Sequence, residues 1–263
     1  MIGVVLFTTF IVGPWMTSLS LNDYLHSGET WQYLRTIMIY PLPPGLPGVF
    51  ESNPYSHEVN GSLWTLQLEM VYYASLLILF FVGGLKRTRL LVLFLIVNLI
   101  HFFPMSFGTT YIELYRYFLI GMLLYAWRHV IPIRHRYALI FIVILWVFKE
   151  SAMFYHLFLL VGAYLVLYAV YKWKLPTSFQ VILGNLSYGM FLYGYPLQQV
   201  VAYYSPSAHA FLNFIFALPF TLLCAWLSWC LIERPSLQWM ERRMARTNHQ
   251  QAYKEHNQTP TTT

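Results

Sequence analysis

Between Leu63 and Val82 the chain holds a single charged group, Glu69, in a run otherwise built from apolar residues, a few hydroxyls and one amide. Written as a helix, Ser62, Thr65, Glu69 and Tyr72 recur at spacings of three and four and share one stripe, with Tyr73 one step round. Leu63, Leu66, Val71 and Leu77 cover much of the remaining surface. About eleven aliphatic and Phe residues of the run each favour insertion into lipid by roughly 0.3 to 0.6 kcal/mol. A carboxylate at the centre costs roughly 2.5 to 3.5 kcal/mol, about half of that margin. Such an acid needs a buried partner (Arg116, or a Tyr hydroxyl on the protonated carboxyl) or a wet cavity in which it works, and intramembrane acids are functional by default.

Other polar groups inside apolar runs raise the same question. Glu113 and Arg116 are three apart, a ready local pair, with recognition of an anionic ligand as the other use of the arginine. Asn98 and His101 share a helical face, and His156 stands in Phe154-Tyr-His-Leu-Phe158; an imidazole near the interface serves either structure or chemistry. Asn185, before Leu-Ser-Tyr-Gly, reads as a helix N-cap. In Ser187 to Gln199 two glycines and Pro196 are expected to break the helix, and Tyr188, Tyr193, Tyr195, Gln198 and Gln199 to line the break; broken polar helices in membranes line a cavity or pack on neighbours.

The elements that must position these groups follow from composition. With 58% hydrophobic, 19% aromatic and 10% charged residues, 263 residues carry too few charges for a soluble surface. The expected fold is an all-α polytopic membrane helix bundle. Eight candidate spans cover roughly residues 1–20, 63–83, 90–107, 112–127, 137–148, 152–171, 186–204 and 209–232. Basic clusters follow every second span: Lys86 to Arg89, Arg128 to Arg136, Lys172 with Lys174, and a tail with Arg234, Arg242, Arg243, Arg246 and Lys254. The intervening junctions are poor in Lys and Arg, so both termini are expected in the cytoplasm of a multi-pass inner-membrane protein. The net charge of +6 is thus explained by topology and anionic lipid, and nucleic acid is not an expected partner. The pair of spans flanking Lys149-Glu150 is short, about 18 Å for twelve residues, yet merging it would put Lys172, Lys174 and the basic tail outside.

The first span lacks a basic leader and has Pro14-Trp15 where a small-residue cleavage site would stand, so it reads as a membrane helix. The loop from Leu21 to Gly61 is long, and the Pro/Gly string Pro41 to Gly48 forbids a continuous helix there. Its Trp31, Tyr33 and Phe50 suit the headgroup layer, and aromatics and amides on such a loop also grip sugar rings. Residues 1–246 form the expected bundle, Ser236 to Arg246 is expected on the inner leaflet, and the polar tail 247–263 is expected to be disordered. Cys224 and Cys230, six apart, point about 240° from each other on a helix, which gives neither disulfide nor metal site. No nucleotide loop, zinc spacing or Ser/His/Asp set stands out, which leaves enzyme, transporter and binding module open.

One resemblance narrows that choice. Asn60-Gly-Ser-Leu-Trp-Thr-Leu-Gln-Leu-Glu69 resembles the signature of acyltransferase family 3, integral-membrane enzymes that O-acylate sugars. Thr17 to Leu25, Thr30 to Leu34, Leu46 to Phe50 with Asn53-Pro-Tyr55, Tyr117 to Tyr125, Ser187 to Met190, Tyr195 to Gln199 and Glu233-Arg-Pro235 are similar to family landmarks in the same order. The resemblance implies acyl transfer, commonly of acetyl, from acyl-CoA to a carbohydrate or glycolipid hydroxyl, with no resident cofactor and no metal. It makes Glu69 a supporting acid, Ser62, Trp64, Thr65 and Tyr72 cavity residues, and Arg116, Tyr195 and Gln198 contacts to donor or sugar. The family's first helices carry an Arg and then a His taken as the catalytic base. No histidine here matches it, so the chain is expected to enter the family pattern about two helices late, with activity alone depending on those missing residues. A non-catalytic remnant, a glycan-binding membrane protein and a small-molecule permease are the alternatives.

Overall fold

The computed structural model describes residues 1–38, 45–102, 109–173 and 176–245, and every regular element among them is helical. The helices are α1 (Ile2–Met16), α2 (Leu21–His26), α3 (Gly28–Tyr33), α4 (Gly61–Phe81), α5 (Arg87–Phe102), α6 (Thr109–Ala126), α7 (His135–Val147), α8 (Phe154–Lys172), α9 (Thr177–Tyr204) and α10 (Ala210–Ala245). Each of the eight expected spans contains a helix. Three of them, α4, α8 and α10, are long and apolar enough to cross a membrane, and α1 and α7 are shorter apolar helices. Phe80 and Phe81 on α4, Leu139 and Trp146 on α7 and Val170 on α8 are uncovered, a surface suited to lipid. Pro41 to Pro44 of the loop string, Lys174, Arg246 and the expected disordered tail lie outside the described residues.

The chain forms two compact units, residues 1–66 with the chain from 177 onward, and residues 67–176. In the first, two prolines leave backbone carbonyls without their usual donors, and side chains supply them. Pro14 has no N–H, and α1 widens into a π turn at Thr8–Val12, where the Gly13 N–H bonds Thr8 O. Thr9 O is left over; the buried Tyr24 hydroxyl donates to it at 2.8 Å. Gly13 is required there, because a Cβ would lie 2.0 Å from the Tyr24 oxygen. Burial pushes the Tyr24 phenol pKa well up, with the neighbouring Tyr33 adding to it, so it stays a donor.

Pro196 repeats the pattern on α9. The expected break does not occur: α9 runs through residues 177–204, and Asn185, expected as an N-cap, sits inside it. Pro196 deprives Leu192 O of its i+4 donor, and Asn60 Nδ2 donates to that oxygen at 2.9 Å. The glycines serve packing, since a Cβ on Gly189 would meet Ala225 Cα at 2.8 Å. The loop is also less interfacial than expected: Phe50 and Tyr33 are buried in a core with Val5, Val49, Leu63 and Leu192, and only Trp31 of the three rings is exposed. α10 continues through Pro235, with a second π turn at Trp229–Glu233 just before it, so the helix does not end at 232 as expected.

The second unit is built on α5 against α6, around Leu90, Phe94, Leu119, Leu123 and Leu159. α4 ends in a Schellman turn: Gly83 takes φ +66°, its N–H bonds Phe80 O and the Gly84 N–H bonds Leu79 O. Arg89 Nη1 then donates to Gly83 O at 2.8 Å. The Tyr164 hydroxyl donates to Pro132 O and accepts from the Arg134 N–H, which fixes the basic connection before α7. Successive turns at Phe148, Ser151 and Phe154 keep α7 and α8 apart as two helices.

Candidate functional site

The Asn60 to Glu69 segment starts with a cap. Asn60 Oδ1 accepts the Ser62 N–H at 3.2 Å, and Thr65 Oγ1 donates back to Ser62 O at 3.0 Å. With its Nδ2 on Leu192 O, Asn60 joins the helix start to α9. Gly61 permits the close approach of Tyr195, whose Cζ would lie 2.7 Å from a Cβ there. Tyr195 donates its hydroxyl to Glu58 Oε2 at 2.5 Å. The buried Gln199 holds the same loop, donating Nε2 to Tyr55 O and Glu58 O and accepting from Asn53.

These contacts shape a cavity of about 420 Å³ lined by Tyr33, His57, Glu58, Asn60, Gly61 and Trp64, among others. Trp64 exposes 40% of its surface, an apolar ring beside polar groups. Burial pushes the Tyr33 phenol up to about 12, so at neutral pH it is a hydrogen-bond donor. His57 has a positive φ of 64°, and its carbonyl oxygen lies where a Cβ on Gly45 would stand, 1.9 Å away. The residues around the cavity therefore include one imidazole, one carboxylate and an indole face, while the Tyr33 phenol is bonded to the buried Thr8. A second cavity, about 270 Å³, brings the expected Tyr195 and Gln198 together with Tyr55 and Asn213.

Sequence reasoning singled out Trp64, Tyr195 and Gln198 but passed over His57, Glu58 and Asn60's second role. The carbonyl that Pro196 frees is visible in the sequence; which side chain answers it is not.

In the second unit Glu69 is exposed on α4 and lines none of the cavities described here. The Tyr72 hydroxyl donates to Tyr111 O at 2.8 Å, and its ring lies 5.2 Å from that of Tyr115. Arg116 pairs with neither Glu113 nor Glu69. Among the described residues the only ion pair is Lys149 with Glu150, and the Arg116 guanidinium instead donates Nε to Asn98 Oδ1 at 2.8 Å and lies 3.1 Å from His156 Nδ1 through Nη2. The local Glu113–Arg116 pair is thus not formed, because the guanidinium turns instead to Asn98 on α5 and His156 on α8. A cavity of about 220 Å³ adjoins the cluster, lined by His101, Glu113, Arg116, Tyr117, Tyr155 and His156 with Ala152 and Leu159. A larger apolar groove of about 660 Å³ includes Ile120, Gly121, Leu124 and Leu167, with Arg128 and His129 among its walls. Among the described residues no group of three or more His, Cys, Asp or Glu could hold a metal. No protein-family model, curated protein or solved structure matches the chain.

Proposed function

We propose that this chain is a multi-pass membrane O-acyltransferase, with about eight spans and both termini cytoplasmic in the cell inner membrane, that moves an acyl group, commonly acetyl, from acyl-CoA to a carbohydrate or glycolipid hydroxyl. The observation that carries this reading is the 420 Å³ cavity, where Asn60, Gly61 and Trp64 of the family-like segment meet Tyr33, His57 and Glu58. A sugar ring stacks on the Trp64 face, and Glu58 is a polar partner for its hydroxyls. In this reading the His57 imidazole takes the proton of the attacking hydroxyl; the oxygen attacks the thioester carbonyl, the C–S bond breaks and the thiol leaves with a proton.

The resemblance gives Glu69 a supporting role; the residue is exposed and lines neither cavity of the first unit, so that role is tested directly by Glu69→Gln. The test uses the full chain in proteoliposomes with labelled acetyl-CoA and a glycan acceptor. The expected result is labelled ester, lost in Trp64→Ala and His57→Ala and reduced in Glu69→Gln. Ester formation that is indifferent to all three substitutions rejects the reading, as does counterflow of labelled small molecules with no ester formed.

A further inference from the structure

The Arg116 cavity lies in the second unit; the resemblance makes Arg116 a donor or sugar contact, but the acyl-transfer steps proposed above use none of the groups around it. Arg116 is 4% exposed, on a helix set among apolar neighbours, and its guanidinium is held from two other helices by Asn98 and His156. Neither partner carries a negative charge, so they aim the cation without neutralising it. Burying an unpaired charge is costly, and a guanidinium has five N–H donors, of which these contacts engage two. The carboxylate that could have neutralised it, Glu113, lines the same cavity one turn earlier yet forms no ion pair with it within 4.0 Å. A small cavity thus holds a cation and an anion that leave each other's hydrogen-bonding capacity open.

We propose that this cavity binds a hydroxycarboxylate of the sugar-acid class. The carboxylate fits the free edge of the Arg116 fork. The adjacent hydroxyls are donors to Glu113, and the imidazoles of His101 and His156 stand beside them, their ring centroids 6.0 Å apart. Tyr117 and Tyr155 give the ring apolar walls. The volume is about 220 Å³, on the order of seven times a water's share of the liquid, which suits a single sugar unit. Glu113 selects against a bare inorganic anion, which would face a carboxylate with no hydroxyl to offer it. This assignment stands apart from acyl transfer, since none of its residues lines the Trp64 cavity.

The experiment is titration of the purified full chain in detergent with D-glucuronate, D-glucose, acetate and inorganic phosphate. Glucuronate is expected to bind at least about tenfold more tightly than glucose or acetate, each of which lacks half of the recognised chemistry. Arg116→Gln removes the preference over glucose, and Glu113→Gln narrows the preference over acetate. Ala152→Trp fills the cavity from an exposed turn while leaving the Arg116 bonds in place, so it keeps the test valid where Arg116→Gln fails to fold. Absence of saturable glucuronate binding, binding unchanged in Ala152→Trp, or phosphate bound as tightly as glucuronate overturns the proposal.

Discussion

The two units use polar side chains in opposite ways. In the first, Asn60 and Tyr24 are spent on the backbone, since each donates to a carbonyl that a proline four or five residues further along the helix leaves unpaired. In the second, Arg116 bonds Asn98 and His156 from two other helices, next to a cavity, with no proline-made defect to mend. A polar group in an apolar helix is therefore not evidence of function until its partner is known. Where the partner is a stranded carbonyl the group stabilises the fold. Where the partners only aim a charge, the fold carries a cost that a ligand can offset.

The largest effect expected from this contrast is in Asn60→Ala, which loses a cap worth about 1 kcal/mol and strands a carbonyl at about 1 to 3 kcal/mol. Unfolding in micelles should show a loss of about 2 to 4 kcal/mol in total. Pro196→Ala restores the missing N–H, so in that background Asn60→Ala should cost only the cap, about 1 kcal/mol. An unchanged cost in that double-mutant cycle would break the first half of the comparison. Tyr24→Phe comes next, at about 1 to 3 kcal/mol, because Thr9 O then has no donor. Glu69→Gln stands at the small end. On an exposed site it should shift stability by less than about 0.5 kcal/mol while ester formation falls; a large stability loss would give the carboxylate a structural partner instead.

Much of this architecture was legible in the residues. The eight apolar runs all carry helices, and the Lys149-Glu150 break between α7 and α8 was required by the alternation of basic loops. What failed was local inference about α9. Two glycines and a proline read as a break, but a side chain more than 130 residues away in sequence mends Pro196, and Gly189 is there for close contact with Ala225. The start of α9 was missed for the same kind of reason, since Asn185 has the chemistry of a cap while the helix begins at Thr177. At the sites, sequence periodicity put Glu69 on a polar stripe and named Arg116, Asn98, His101 and His156 separately. It could not show that the last four meet, because their partnership is set by the packing of α5, α6 and α8 and by no spacing along any one of them.

The comparison is tested most directly by thermal unfolding of the triple variant Asn98→Leu, Arg116→Met, His156→Leu, with and without D-glucuronate. A buried charge kept for a ligand should be replaceable, with its two half-buried partners, by apolar side chains with stability unchanged or raised by about 1 to 4 kcal/mol, and the shift that glucuronate produces in the wild-type protein should vanish. A triple variant that unfolds several degrees lower, or that still responds to glucuronate, contradicts the account.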